Sequence, residues 1–579
     1  MDQEDHLKEI MREFTNHGVN VLNNVQSNPL SMNVYFEKYS RFIKDLQELF
    51  ELLAKNPYTI SAQQIAYWQD LFALMENSVK SWAEGKGNPI EDKRFKSENW
   101  RNNPFFNLLS QQYVLLNIHL TNLLHNLPFD DKKVSKRVKF LAQQVLDALS
   151  PDNFFLTNPD LHHEAINSHG HSLMLGWKNL LQDLGKGPDK LSIKMTDHQA
   201  FAVGKNIAAT PGKVIYKNKL IELIQYTPQT KKVYAIPLLI IPPWINKYYV
   251  LDLSPHNSLV NYLVSNGITV FMISWVNPDA SYRQYGLYEY LAEGPIKAIE
   301  IIKKQLSVKQ LNLLGYCIGG TLLALLLGYF KAIKNHSIKS ATFLASMIDF
   351  SDPGDIAVYI DEEQIRHLEH RMNEKGYLDG HLMANAFNSL RSSDLVWSFY
   401  IKNYLRGQNP VPFDILYWNS NNTNLPAKMH SEYLRSMYLN NDLIKPGKIK
   451  IKNKPIDVHH INIPTFFVST LKDHIAPWHT SYIGYHLMKG KKQFILGESG
   501  HVNGIINPPS SKKYGYFTNS STGYDSQKWF DKAQHHAGSW WPCWLQWLGK
   551  QSGKLVAKPE FKKIPYPGKY NSPGKYALF

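Results

Sequence analysis

Cysteine is scarce: the 579 residues hold only Cys317 and Cys543. Two thiols cannot build a disulfide framework, so a reducing compartment is expected and a retained cysteine is available for chemistry. Long hydrophobic runs are missing as well. The longest, Leu322–Leu327 with its flanks, falls far short of the ~20 residues needed to cross a bilayer. The opening Met1-Asp-Gln-Glu-Asp-His has no basic stretch ahead of an apolar core, so no secretory leader and no transmembrane segment are expected. Acidic residues are outnumbered, 49 against 64 Lys and Arg, giving a formal net charge of +15. Yet no basic repeat interleaved with aromatics is present, and the lysines are scattered apart from clusters at Lys132–Lys139 and Lys445–Lys454. Nucleic acid is not an expected partner. Solvated lysine-rich faces, and steering of an anionic phosphate-bearing substrate, account for the charge.

What is present is enough for a sizeable core: 43% hydrophobic and 20% charged residues, ordinary proportions for a folded chain. Residues 1–195 read as an all-helical domain. Apolar residues recur every three or four positions in Val34–Leu53, Gln63–Trp82, Phe105–Leu124 and Val134–Leu149, the spacing of amphipathic helices. Leu108–Leu124 is apolar around much of its circumference, which suits a bundle interior or a hydrophobic surface. The histidines of this half, among them His162 and His163 beside Glu164, lack acidic partners at metal-ligand spacing. They read as a polar helix face, and no metal is expected.

From about Thr196 the texture changes to strands alternating with helices. Lys213–Tyr216 and Ile221–Tyr226 read as an antiparallel pair. Ile236–Ile241, Ile268–Ile273, Leu311–Leu314, Ser340–Leu344, Thr465–Thr470 and Gln493–Leu496 follow as further strands. This is the signature of an α/β fold with a mainly parallel sheet covered on both faces. Between residues 351 and 457 the strands stop and Trp, Tyr, Pro and Asn dominate, so a cap insertion over an active site is expected there. The expected α/β domain is 196–579.

Gly315-Tyr-Cys-Ile-Gly-Gly320 sits between the apolar run Leu311–Leu314 and the helix-like Thr321–Phe330. Strand, glycine-flanked turn and helix with a thiol at the tip make the layout of an α/β-hydrolase nucleophile elbow, with Cys317 as nucleophile. The plain alternative is a small buried residue. In that fold the acid and then the histidine follow along the chain, at strand ends. Thr465–Thr470 leads into Asp473, and Gln493–Leu496 leads into His501. His474 is the rival histidine, but its adjacency to Asp473 makes it a poor partner for that carboxylate. An oxyanion hole would use the Ile318 N–H and a second amide after Ile236–Ile241. Pro242 and Pro243 cannot donate, which leaves Trp244 and Ile245, with Ile245 preferred.

Longer blocks carry a family resemblance: Pro242–Leu253 (PPWINKYYVLDL), Ser274–Ser281 (SWVNPDAS), Gly315–Gly320 (GYCIGG), Asn388–Trp397 (NSLRSSDLVW), Asn409–Asn419 (NPVPFDILYWN), Asp473–Trp478 (DHIAPW), Gly500–Pro508 (GHVNGIINP) and Gly538–Pro542 (GSWWP). Asp92–Phe95 (DKRF) and Ser150–Pro159 (SPDNFFLTNP) extend it into the helical half. The chain resembles the poly(3-hydroxyalkanoate) synthases, and within them the class I enzymes that polymerise short-chain (R)-3-hydroxyacyl-CoA. Ile318, where the medium-chain class usually has serine, favours the short-chain class I. The resemblance implies that Cys317 carries the acyl group, His501 is the general base and Asp473 the third catalytic residue. It also implies no cofactor beyond the CoA thioester substrate. It further implies a cytoplasmic homodimer at the surface of polymer granules with their associated proteins, the helical domain supporting granule association and dimerisation. Trp244, in place of a smaller residue, and Cys543 depart from the pattern. A thioesterase or esterase would share the triad, and a non-catalytic granule coat would explain the apolar helices but not the triad.

Overall fold

The computed structural model describes residues 44–85, 87–184, 193–520, 523–559 and 571–578. The chain falls into two units, one of residues 1–197 with 388–411, the other of 198–387 with 412–579.

The first unit is helical. Residues 44–55 are followed by α1 (Pro57–Ala83), α2 (Pro104–Asn126), α3 (Lys132–Ala148) and α4 (His171–Asp183). Of the expected helix Val34–Leu53, residues 34–43 lie outside the described residues. Starts are set by local chemistry. The Asn103 side chain accepts from the Phe105 and Phe106 amides, with Pro104 in the first turn, and Asp131 accepts from the Lys133 amide; both satisfy donors that the helix itself cannot. Small apolar clusters, Phe95–Trp100–Tyr113 and Leu124–Leu127–Val134–Val138, hold the helices together. The Arg94 guanidinium joins them to the Ser150 turn, reaching Tyr113 Oη at 3.0 Å and Ser150 Oγ at 3.2 Å.

Residues 388–411 lie inside the stretch expected to form the cap, yet they pack with the helices. Asn179 Nδ2 donates to Asn403 O at 3.1 Å, Tyr404 Oη to Asp183 Oδ2 at 2.9 Å, and Ser392 Oγ to Asp147 Oδ2 at 2.7 Å. At Gly176 a Cβ would stand 1.9 Å from the Tyr404 carbonyl oxygen, so only glycine admits this approach. Trp397 therefore belongs to the helical unit.

The second unit is built on one ten-stranded sheet. Its strands are β1 (Gly212–Lys217), β2 (Ile221–Tyr226), β3 (Leu238–Ile241), β4 (Val270–Trp275), β5 (Leu311–Tyr316), β6 (Ile338–Leu344), β7 (Thr465–Thr470), β8 (Lys492–Gly497), β9 (Tyr516–Thr518) and β10 (Gln534–His536). Their order in space is β1-β2-β4-β3-β5-β6-β7-β8-β9-β10. From β4 to β8 neighbours run parallel, and the edges are antiparallel. Alternation in β3 shows how the sheet divides the core. Leu239 and Ile241 join one cluster, Leu238 and Ile240 the other, as a period of two requires. Both faces being covered, β3, β4, β5 and β7 are buried along their whole length.

Helix α5 (Ile318–Ala332) follows β5 directly and is buried almost all round. Helix α6 (Trp541–Gln551) closes the described chain's last long element. Two-residue strands interrupt the 351–457 stretch, Tyr377–Leu378 pairing with Leu425–Pro426 and Lys450–Ile451 with Lys454–Pro455. Pieces this short leave no periodic signal in sequence. Among the described residues no helix is long and apolar enough to cross a membrane.

Candidate active site

Cys317 stands between β5 and α5 with φ 53° and ψ −124°, a conformation that disfavours any residue with a Cβ. The neighbouring fold forces it. Cys317 N donates to Leu344 O at 2.9 Å and Gly320 N to Cys317 O at 2.9 Å, which pins the turn to β6 and starts the helix. A Cβ at Gly319 would lie 2.0 Å from Ile241 O, and one at Gly320 would lie 2.0 Å from Ser346 Oγ. Helix and sheet can approach this closely only over glycine. We expect Gly319→Ala to destabilise the protein by about 1–3 kcal/mol, the cost of overpacking, read as a lowered urea midpoint; an unchanged midpoint would show that the helix has room to shift. The half-buried thiol thus sits at the N-terminal, positive end of α5.

The other two side chains arrive on loops that are bonded to each other. Leu471 N donates to Gly497 O and Lys472 N to Ser499 O, both at 2.8 Å, so the turns after β7 and β8 form one body. Asp473 Oδ1 accepts from the Ile475 and Ala476 amides at 2.9 Å each, and Oδ2 accepts from His501 Nδ1 at 2.7 Å. Both residues are buried. With Nδ1 committed to the carboxylate, Nε2 is the nitrogen left for Cys317, which is near enough to couple to the ring electrostatically. Burial alone would suppress the imidazolium. The charges of Asp473 and Cys317 outweigh it, and the pKa of His501 rises well above its ordinary 6.5. The structure therefore brings Cys317, Asp473 and His501 together, and it is His501, not His474, that binds the Asp473 carboxylate.

Several residues that sequence reasoning gave no role turn out to support this arrangement. The Tyr316 ring stacks on His501 with centroids 5.6 Å apart and planes 27° apart, and its hydroxyl donates to His501 O at 3.4 Å. The His501 loop is clamped from α6 and the residue before it. Trp540 Nε1 donates to Gly504 O and Trp541 Nε1 to Ile505 O, both at 2.9 Å, while Trp544 Nε1 reaches Thr342 Oγ1 at 3.0 Å. The GSWWP block was the available signal. Tyr433 and Tyr438, their ring centroids 5.7 Å apart, belong to the core cluster against which Cys317 packs. Burial, then Cys317, pushes the Tyr438 pKa up; burial, Tyr438 and Cys317 do the same for Tyr433. Both hydroxyls stay protonated donors.

Of the expected oxyanion amides, Ile318 N–H is the first of α5, immediately after the sulfur-bearing residue. Ile245 follows β3, its carbonyl accepting from Thr423 N at 3.1 Å. Trp244 beside it is buried, with its indole against Trp275, Tyr290 and Tyr433 at 6.1, 5.3 and 5.7 Å. Of the cap aromatics, Tyr417 packs on His198 and Phe201, and Trp418 Nε1 donates to Lys247 O at 2.6 Å.

The chain has known relatives in sequence. Residues 91–263 match the family described as "Poly-beta-hydroxybutyrate polymerase (PhaC) N-terminus", and residues 236–508 match the "alpha/beta hydrolase fold". The chain is 41% identical over 543 residues to the poly(3-hydroxyalkanoate) polymerase of Methylorubrum extorquens, covering 92% of this chain and 89% of that one. It is 40% identical over 530 residues to the poly(3-hydroxyalkanoate) polymerase subunit PhaC of Rhizobium meliloti, covering 90% and 86%. Against the same subunit of Cupriavidus necator it is 39% identical over 526 residues, covering 90% and 88%. With an α/β-hydrolase sheet, a helical N-terminal region and identity of this extent along nearly its whole length, the chain belongs to the poly(3-hydroxyalkanoate) polymerase family.

Proposed function

We propose that this chain polymerises (R)-3-hydroxyacyl-CoA, of short chain and with 3-hydroxybutyryl-CoA foremost, into polyhydroxyalkanoate with release of CoA. The observation that carries the reading is the thiol at the elbow, electrostatically coupled to a His501 ring whose Nδ1 is held by Asp473. In this reading Cys317 is the nucleophile, His501 the general base and Asp473 the residue that orients and charges it.

The thiol proton passes to His501 Nε2, and the sulfur attacks the thioester carbonyl carbon. A new S–C bond forms as the bond to the CoA sulfur breaks, and CoA leaves with the proton from the imidazolium. One thioester has replaced another, so little energy is lost and the acyl group stays activated. Neutral His501 then takes the proton of an incoming 3-hydroxyl through Nε2. The oxygen attacks the acyl-cysteine, an ester bond forms, and the thiol is regenerated. Positioned base catalysis of this kind contributes typically ~10²–10⁴-fold. The Ile318 and Ile245 amides are the proposed donors to the carbonyl oxygen as it gains charge. No cofactor enters the scheme, because the CoA thioester is the substrate. We place the enzyme in the cytoplasm as a homodimer at the polymer granule surface, where granule-associated proteins gather.

Water is the competing nucleophile. The buried aromatic side chains of Trp244 and Tyr433 and the partly buried Tyr438, in the core cluster against which Cys317 packs, limit its access and favour transfer to a hydroxyl over hydrolysis. A thiol-release assay over a panel of acyl-CoA lengths, with recovery of the product, tests the proposal. Insoluble polyester with CoA release greatest for short 3-hydroxyacyl chains is expected. Free hydroxy acid in place of polymer would make the chain a thioesterase.

A further inference from the structure

His501 is held at its edge by Asp473, Nδ1 to Oδ2 at 2.7 Å, and on its face by Tyr316. The two rings lie with centroids 5.6 Å apart and planes 27° apart, an offset stack. Little solvent reaches this contact: Tyr316 is 1% exposed and His501 8%. The placement follows from the chain. Tyr316 ends β5, one residue before the sulfur, and alternation along the strand sends Leu314 and Tyr316 to the same core cluster. The Tyr316 hydroxyl then donates to the carbonyl of His501 itself at 3.4 Å, so one side chain holds both the ring and the backbone of the histidine.

We propose that Tyr316 is a positioning residue for the acylation step, its ring stabilising His501 in the protonated form that pairs with a Cys317 thiolate. An aromatic face carries negative charge, so a cation within about 6 Å of the centroid is attracted, most strongly where water is excluded, and a neutral imidazole gains far less. The stack therefore favours one protonation state over the other. Charge reaches the ring from Asp473, on the loop after β7, and from Cys317, at the elbow. The Tyr316 phenol stays protonated, burial holding its pKa well above the ordinary 10. Trp540 and Trp541 bring only indoles to the His501 loop, Glu498 is engaged by Gly515 N at 2.7 Å and His535 Nε2 at 3.1 Å, and Lys472 is exposed. The inference deepens the reading of His501 as general base and rests on it: the proton that leaves Cys317 stays on the imidazolium until the departing CoA sulfur takes it.

First-turnover CoA release from 3-hydroxybutyryl-CoA, measured against pH, tests it. The alkaline limb of that profile reports loss of the imidazolium proton. Tyr316→Leu is expected to move the limb down by about 0.5–1.5 pH units, the range that a buried cation–π contact spans, while Tyr316→Phe, which keeps the ring, restores the wild-type position. Wild-type and leucine limbs that coincide would overturn the proposal and leave the triad standing. Equal shifts in both variants would also overturn it, by giving the effect to the hydroxyl. A His501→Gln variant that kept the limb would remove the base itself, and the proposal with it. Should the leucine variant fail to fold, phenylalanines bearing one, two and three ring fluorines at position 316 decide, since fluorine drains the face of negative charge at nearly constant shape. A limb that steps down with each fluorine supports the proposal, and a limb indifferent to fluorination refutes it.

Discussion

Cys317→Ala is expected to release no CoA from 3-hydroxybutyryl-CoA and to make no polymer, a loss on the order of 10⁶-fold, the scale that follows removal of a triad nucleophile. The expectation does not rest on damage to the fold. Alanine at φ 53° is strained no more than cysteine there, the turn is held by backbone bonds from Cys317 N and Gly320 N, and the side chain removed is only half-buried. What disappears is the sulfur proposed to carry the acyl group as a thioester. Cys317→Ser separates the two requirements. A serine hydroxyl is far less acidic than a thiol, and the oxygen ester it would form is far less activated toward the next hydroxyl. Trace acylation without chain growth is expected from serine, and neither step from alanine. Thiol release and capture of labelled acyl-enzyme read the two variants. CoA release by the alanine variant at a hundredth of the wild-type rate or more would end the nucleophile assignment.

How far the sequence reveals this site depends on how local each part is. The elbow is legible because its constraints lie within a few residues: the strand, Cys317, Gly319, Gly320 and the buried helix are adjacent in the chain. Asp473 and His501 are legible because each follows an apolar strand, and loops after parallel strands converge on one edge of the sheet. Long-range contacts leave no such trace. Nothing in the spacing of Trp540 and Trp541 indicates that their indoles would clamp the carbonyls of Gly504 and Ile505. Tyr433 and Tyr438 come to the core cluster against which Cys317 packs from a stretch with no strand periodicity. Residues 388–411 look like the rest of the expected cap, yet Ser392, Asn403 and Tyr404 are hydrogen-bonded to helices more than two hundred positions earlier. The short strands β9 and β10 are not legible for another reason: half-exposed and mixed in polarity, they lack the apolar run that marks the central strands.

Asp473→Asn is expected to slow chain elongation by about 10²–10⁴-fold, the range lost when a triad carboxylate becomes an amide, and to slow the first acylation of Cys317 less. Both of the carboxylate's oxygens are engaged, Oδ1 by the Ile475 and Ala476 amides and Oδ2 by His501 Nδ1. Asp473 is therefore expected to act through the ring. Asparagine can turn only its amino group or a weaker carbonyl toward Nδ1, so it disfavours the tautomer with Nε2 free and no longer supports the imidazolium. The two steps feel this unequally. A thiol is a few per cent ionised near neutral pH without help, whereas a substrate hydroxyl is not and depends wholly on the base. Single-turnover acylation and steady-state elongation measured on one preparation separate them, and equal losses in both would mean that thiol and hydroxyl depend on His501 alike. The same variant has a stability signature. In the wild type, burial opposes the charge on His501 but Asp473 and Cys317 raise its pKa well above 6.5, so the folded state binds this proton more tightly than the unfolded chain does. That stabilisation is complete below the unfolded value and is lost as pH rises through the folded one. Removing the carboxylate lowers the folded value. The stability gap between wild type and Asp473→Asn should therefore be widest below pH 6.5 and narrow as the solution is made more alkaline. A gap that grew with pH would show that the ring is held neutral in the folded protein, and that the thiol is not paired with an imidazolium.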